Sequence, residues 1–168
     1  MPEKKTLQRA EQDKREGKAP STQAGEFVRE EMEHIREGKH GARSTKQAIA
    51  IGLSKARRAG VELPPPKEGT VPEKTRRSAE RAQEAAQRGD TSVSSTRSRA
   101  ILGVLKRESK AAASKPALAK QARSAASRRT ASERSAAAKK AVRTKGPAER
   151  SAAARKAART RARTRSSG

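Results

Sequence analysis

Residues 44–60 read Ser-Thr-Lys-Gln-Ala-Ile-Ala-Ile-Gly-Leu-Ser-Lys-Ala-Arg-Arg-Ala-Gly. Ser44 followed three positions later by Gln47 is a capping box, in which the hydroxyl and the amide each satisfy a free backbone N–H at a helix start. At 100° per residue Ala48, Ile49, Gly52, Leu53 and Ala56 fall in one arc, so the spacing predicts a helix running to Ala59. Gly60 stands where a left-handed residue closes a helix, with Val61 just after it. Pro64, Pro65 and Pro66 forbid continuation and form an extended spacer.

Toward the N-terminus, a second helix is predicted over residues 22–37. Ser21 or Thr22 can cap it and Gly38 can end it. Phe27, Ala24, Ile35, Val28 and Met32 share one face, and Glu26, Arg29, Glu30, Glu33 and Glu37 share the other. Residues 38–43 are then a tight connector. Residues 26–63 hold 9 of the chain's 19 Ile, Leu, Val, Phe and Met residues. If one region folds alone, it is a helical hairpin here, and its size makes it marginal without a partner.

The flanks are weaker. Residues 1–20 are a charged N-terminal segment with one short helix over 3–16, in which Leu7 is the one large apolar side chain. The hairpin module spans 21–63. Residues 64–94 are a Pro-rich spacer and a solvated helix over 72–88, supported by Glu73 with Arg77 and Arg76 with Glu80. Residues 95–113 are a short amphipathic helix carrying Ile101, Leu102, Val104 and Leu105; it docks on the hairpin or stands alone. Residues 114–168 are a basic Ala/Lys/Arg tail. In it residues 133–144, Glu-Arg-Ser-Ala-Ala-Ala-Lys-Lys-Ala-Val-Arg-Thr, recur 16 residues later as residues 149–160, Glu-Arg-Ser-Ala-Ala-Ala-Arg-Lys-Ala-Ala-Arg-Thr, with 10 of 12 positions identical. Pro116 and Pro147 divide the tail into helix-length pieces.

Composition sets the fold expectation. Of 168 residues, 33 are Ala and 17 are Ile, Leu, Val or Phe. The latter share lies below the roughly 20% under which a highly charged chain is expected to be disordered. The predicted class is therefore mostly α with extensive disorder: a small helical hairpin plus isolated helices and a basic Ala-rich tail, with no sheet. The chain lacks Cys, which excludes disulfides, thiol nucleophiles and cysteine-based zinc sites. No apolar run approaches the roughly 18 residues that span a bilayer. The N-terminus carries both signs of charge and no apolar segment, so neither a secretory signal nor an acid-free transit peptide is expected, and the expected location is cytoplasmic, at the nucleoid. So few large apolar residues make a water-excluding catalytic pocket an unfavourable expectation, and the reading is not an enzyme.

Charge carries the functional reading. Residues 1–90 hold 20 basic and 15 acidic side chains, whereas residues 91–168 hold 22 basic and 3 acidic. A segment of such one-sided charge repels itself and needs a polyanion. The expected partner is nucleic acid. Duplex DNA is preferred over RNA, because one Phe and no Tyr or Trp argue against stacking platforms for single strands. The tail is expected to pass from disorder to helix on binding, its candidate contacts being Lys139, Lys140, Arg143, Lys145, Arg155, Lys156, Arg159, Arg161, Arg163 and Arg165. On a helix, Arg155, Lys156 and Arg159 cover one broad face, while Arg150 and Arg161 lie opposite. Charge surrounds the rod, which suits lying along a groove or bridging two duplexes better than reading base edges. Low sequence specificity and compaction by phosphate neutralisation follow.

The hairpin offers a second candidate anion site. Lys39, Arg43, Ser44 and Lys46 surround a helix start whose backbone N–H groups attract phosphate, with Lys55, Arg57 and Arg58 at the far end. His34 and His40 have Glu30, Glu33 and Glu37 near them in sequence, but no closed metal-ligand spacing. They are expected to be surface histidines, with no metal and no cofactor.

Two resemblances join this reading. The tail, with Ser-Lys-Pro-Ala at 114–117 and the 16-residue repeat, looks like the C-terminal tails of linker-histone-like bacterial proteins. Residues 38–60, Gly-Lys-His-Gly-Ala-Arg followed by the capping-box helix, resemble small basic bacterial and phage proteins of unknown function, sometimes labelled plasmid-stabilisation or DNA-binding proteins. Those labels imply DNA contact and supply no catalytic residues. The chain has no winged-helix pattern, so the linker-histone likeness stops at the tail. Two other functions fit the composition: an RNA- or ribosome-associated basic protein, and a stress-type interaction adaptor acting through residues 21–63, which also leave room for self-association. A membrane role is disfavoured, because the tail has no bulky apolar face to insert.

Overall fold

The computed structural model describes residues 2–90, 94–144 and 146–166. Contacts divide the chain into two units, Met1–Gln121 and Ala122–Gly168. Among the described residues there are eight α-helices, one 3-10 turn and no strand. The expectation of extensive disorder is therefore overturned, as is that of isolated helices around a lone hairpin.

The first unit holds α1 (Lys4–Arg15), α2 (Pro20–Glu37), α3 (Thr45–Arg58), α4 (Glu73–Gln87), α5 (Ser95–Lys106) and a 3-10 turn (Lys110–Ala113). The helix α6 (Lys115–Ser127) runs across the boundary, and α7 (Ala131–Thr144) and α8 (Pro147–Ser166) lie in the second unit. Helix α2 is the hub of the first unit: α1, α3 and the 3-10 turn all pack on it, and α4 packs on α3.

Two apolar clusters fill that unit. Phe27 and Ala24 of α2 meet Ala10 of α1, Ala56 of α3, and Val61 and Leu63 of the segment that follows α3. Met32 and Ile35 meet Ala48, Ala42, Ala112 and Ala113. Burying Phe27 alone stabilises by about 2–3 kcal/mol. The count of large apolar residues understates this core because much of it is alanine on alanine at short range. Gly52 permits that approach: a Cβ there would lie 2.7 Å from the Val28 Cα. Close-packed backbones gain dispersion contacts that side-chain size does not reveal.

The segment after α5 closes the second cluster. The N–H of Gly41 donates to the Leu105 carbonyl (2.8 Å), and that of Ala42 donates to the Ser109 carbonyl (3.1 Å). The Thr45 hydroxyl donates to the Ala112 carbonyl (2.7 Å), and Arg36 Nε donates to that of Ala113 (3.0 Å). Only glycine fits at position 41, since a Cβ would fall 1.9 Å from the Glu108 carbonyl oxygen. Docking is thus made by Leu105, by Ala112 and Ala113, and by backbone, while Ile101, Leu102 and Val104 stay exposed. The solvated helix expected over 72–88 packs on α3, although none of its side chains is fully buried. Its Glu73 pairs with Arg76 and Arg77 at 2.9 Å, and Arg76 pairs with Glu80.

Helices α7 and α8 rest on local signals. Thr130 and Glu133 form a reciprocal cap: the Thr130 N–H donates to Glu133 Oε2 (2.9 Å), and the Glu133 N–H donates to Thr130 Oγ1 (3.2 Å). Pro147 is the first residue of α8 and Glu149 lies in its first turn. Each copy of the repeat therefore begins with a carboxylate at the positive helix end and continues in Ala, Lys and Arg, all strong helix formers. That is the physical reason the tail is helical rather than disordered.

Candidate functional site

In the second unit the arrangement is set by the repeat. Lys139, Lys140 and Arg143 on α7 occupy the same places in the repeat as Arg155, Lys156 and Arg159 on α8. These six side chains are exposed, as are Arg161 and Arg163. Lys145 and the Arg165 side chain lie outside the described residues. Residues 122–168 carry 15 basic and 2 acidic side chains. The two carboxylates, Glu133 and Glu149, both lie in first turns. Neutralisation of most of these cations within the unit is therefore impossible by number alone.

The first unit treats its charges differently. Lys39 Nζ lies 3.1 Å from Glu3 and 3.0 Å from Glu37, and both carboxylates raise its affinity for its proton. Lys55 reaches the interior, 3.0 Å from Glu30 and 2.8 Å from Glu31. Burial pushes the Lys55 ammonium down, and Glu31 and then Glu30 more than offset it, so its pKa ends above the ordinary lysine value. Arg57 is buried with Nη2 donating to the Pro64 carbonyl (3.3 Å), and Arg58 bonds back to Ser54 of its own helix. Of the phosphate candidates in the hairpin, Lys39 is exposed but ion-paired, and Arg43, Ser44 and Lys46 are exposed at the start of α3. There Ser44 Oγ accepts from the Gln47 N–H (3.2 Å), and Gln47 Oε1 accepts from the Arg43 N–H (2.8 Å). The capping box thus uses its own side chains for part of what an anion would take.

Of the buried polar residues near Lys55, Glu31 has no part in the sequence reading, and Glu30, His34 and His40 are expected there at the surface. Glu31 is completely buried and His40 is nearly so, while the His34 side chain is 14% exposed. His40 Nε2 lies 3.2 Å from Glu31 Oε1, and the two imidazole rings meet edge to face with centroids 6.1 Å apart. His34 Nε2 lies 2.8 Å from Glu3 Oε1. Glu30, placed by periodicity on the solvent face, is buried as well. Burial raises its pKa, but the Glu3 N–H, the Thr6 hydroxyl and Lys55 all favour the carboxylate, and the net shift is downward. The expectation of two surface histidines is corrected on the same grounds. One signal was available: Glu31 lies four residues from Phe27 and from Ile35, inside the apolar arc, where a carboxylate must find a partner.

Among the described residues no helix is long and apolar enough to cross a membrane. Residues 19–67 match a family of unknown function (DUF6496). The matched stretch contains α2, the connector and α3, and with them Glu30, Glu31, His34, His40 and Lys55; it leaves out the tail. No curated protein and no solved structure matches the chain.

Proposed function

We propose that the chain binds duplex nucleic acid, DNA in preference to RNA, by sequence-independent neutralisation of phosphates, and that it compacts DNA in the manner of a nucleoid protein. The observation that carries this reading is the second unit's 15 basic against 2 acidic side chains, presented on consecutive exposed helices.

The dimensions suit the task. Helix α8 has 20 residues and is about 30 Å long, over which a DNA duplex presents a phosphate charge about every 1.7 Å of axis. Cations on all sides of such a rod can face one duplex while others face a second, which makes bridging and compaction natural. Asn and Gln are scarce in the tail, where Gln121 stands alone, so adenine has no bidentate reader there. The first unit pairs much of its own charge internally, and Arg43, Ser44 and Lys46 are its candidates for an auxiliary phosphate contact.

A competition experiment tests the choice of partner. Labelled duplex DNA bound to the full chain is challenged with unlabelled duplex DNA or with structured RNA at equal phosphate concentration. The reading expects duplex DNA of any sequence to compete best. Preferential displacement by RNA would make this an RNA-associated protein instead, and failure to bind either would reject the reading.

A further inference from the structure

We propose that Glu31, His34 and His40 form a binding site for one divalent transition-metal ion of the zinc type. One ligand atom from each of the three residues can be chosen so that all lie within 4.8 Å of one another. Glu31 and His34 are one turn apart on α2, at a spacing that puts both on one helix face. His40 comes from the connector between α2 and α3. In tetrahedral coordination at the usual zinc–ligand distances, donor atoms stand about 3.4 Å apart. The 3.2 Å between His40 Nε2 and Glu31 Oε1 is already that separation. The remaining donor needs to move inward by at most about 1.5 Å to close on an ion of this kind.

The hydrogen bonds around the cluster set which nitrogens are free. His40 Nδ1 lies 3.0 Å from the Gly41 carbonyl oxygen, which can only accept, so Nδ1 carries a proton. His34 Nε2 faces the Glu3 carboxylate, also an acceptor, so Nε2 carries a proton there. A histidine tied by one nitrogen to a carbonyl or carboxylate, with its other nitrogen turned to a ligand, is the usual arrangement of a metal-binding imidazole. His40 Nε2 then confronts Glu31 Oε1, a second acceptor. Between two acceptors either a proton or a cation must stand.

Glu31 supplies the independent observation. Both of its carboxylate oxygens are buried, and neither receives a hydrogen bond of good geometry. Lys55 lies 2.8 Å from Oε2, which leaves Oε1 for an ion. Glu30 and Glu31 together bring two negative charges against the one positive charge of Lys55, so a divalent ion on neutral imidazoles does not leave an uncompensated buried anion. Two imidazoles and one carboxylate suit zinc-type ions rather than Mg²⁺ or Ca²⁺, and three protein ligands leave the fourth position to water. Bound there, the ion would tie the connector to α2 and hold the entry to α3.

The test uses the full chain without an affinity tag, stripped of metal by a chelator that is then removed. Co²⁺ is titrated in and followed by the visible bands of a four- or five-coordinate site; Zn²⁺ binding is followed by calorimetry and thermal unfolding. The proposal expects one ion per chain, displacement of Co²⁺ by Zn²⁺, and a Tm rise of about 8 °C when free Zn²⁺ is 100 times its Kd. In His40→Gln, affinity should fall by more than about 100-fold while the helical circular dichroism is kept. The proposal is overturned if the unaltered chain shows neither Co²⁺ bands nor a Tm rise, a proton then bridging His40 and Glu31. It is overturned equally if a folded double variant, His34→Gln with His40→Gln, still binds with undiminished affinity. Because DNA binding is not part of the readout, success or failure here is independent of the proposed function.

Discussion

Lys55 of α3 holds its ammonium 2.8 Å from the fully buried Glu31 carboxylate of α2. This contact, with Glu30 3.0 Å away on the other side, is the charged centre of the first unit. Its stability comes from completeness rather than strength, since taking charges out of water costs about as much as their attraction returns. Removing one member should therefore be far worse than removing the pair. Lys55→Met is expected to destabilise the first unit by about 3–5 kcal/mol, and Lys55→Met with Glu31→Met should recover a large part of that loss. Urea unfolding followed by circular dichroism measures both. Equal loss in the single and double variants would show that packing, not charge, dominates here.

The same cluster gives a pH dependence whose sign can be worked out. Glu30 has a folded pKa below its ordinary value of 4.5. In acid it therefore binds protons less readily when folded than when unfolded, so its stabilisation is complete above the unfolded value and is lost as pH falls through the folded one. Lys55 has a folded pKa above 10.5, so its contribution is complete below that value and fades as pH rises beyond it. A stability plateau between about pH 5 and pH 10, falling off on both sides, is the expected profile. Glu30→Gln should flatten the acid limb; an unchanged limb would remove Glu30 from the account.

Helix-to-helix distance in the first unit depends on Gly52. Ala has the better helix propensity by about 1 kcal/mol, yet Gly52→Ala is expected to destabilise by about 1–3 kcal/mol, because the methyl would strike the Val28 backbone. Gly25, inside α2, serves as the control, since a Cβ added there would meet nothing within 4 Å. Gly25→Ala should stabilise by up to about 1 kcal/mol. Thermal unfolding of the two variants should give Tm shifts of opposite sign.

The start of α7 hangs on a reciprocal cap between Thr130 and Glu133. Thr130→Ala removes one half of it and is expected to cost that helix about 1 kcal/mol. Amide hydrogen exchange across residues 131–144 is the appropriate measurement, since it reads the opening of that helix itself. Faster exchange confined to that stretch is the expected result, and unchanged exchange would mean the cap is idle.

Local signals were legible and long-range ones were not. The capping box at Ser44 and Gln47, the helix end at Gly38 and the pairs around Arg76 could be read directly, because each involves residues a few positions apart. The partner of the connector could not. Gly41 and Ala42 are bound by carbonyls some 65 positions away, and the docking segment offers the core mostly alanine, with Leu105 and Leu118 beside it. Alanine leaves little periodic signal, so composition suggested disorder where close packing and helix propensity produce order. The charged interior was hidden for another reason. Periodicity places Glu30 on the solvent face with Glu26, Glu33 and Glu37 and assigns Glu31 no role, whereas Glu30 turns toward Lys55 and Glu31 toward Lys55 and His40. The tail's cations are legible in the sequence, and the repeat places Lys139, Lys140 and Arg143 on α7 as it places Arg155, Lys156 and Arg159 on α8.

On the proposed function the second unit is a polycation whose counter-ion is a nucleic acid backbone, and the salt dependence of binding is its sharpest test. Fluorescence anisotropy of a labelled duplex of arbitrary sequence, titrated with the full chain over a range of NaCl concentrations, yields the slope of log K against log salt. About ten displaced counterions predict a slope of about −9. Replacing Lys139, Lys140, Arg143, Arg155, Lys156 and Arg159 by Gln should make it shallower by about 5. Binding that is absent, or tight and indifferent to salt, or unchanged in the six-fold variant, would contradict the account.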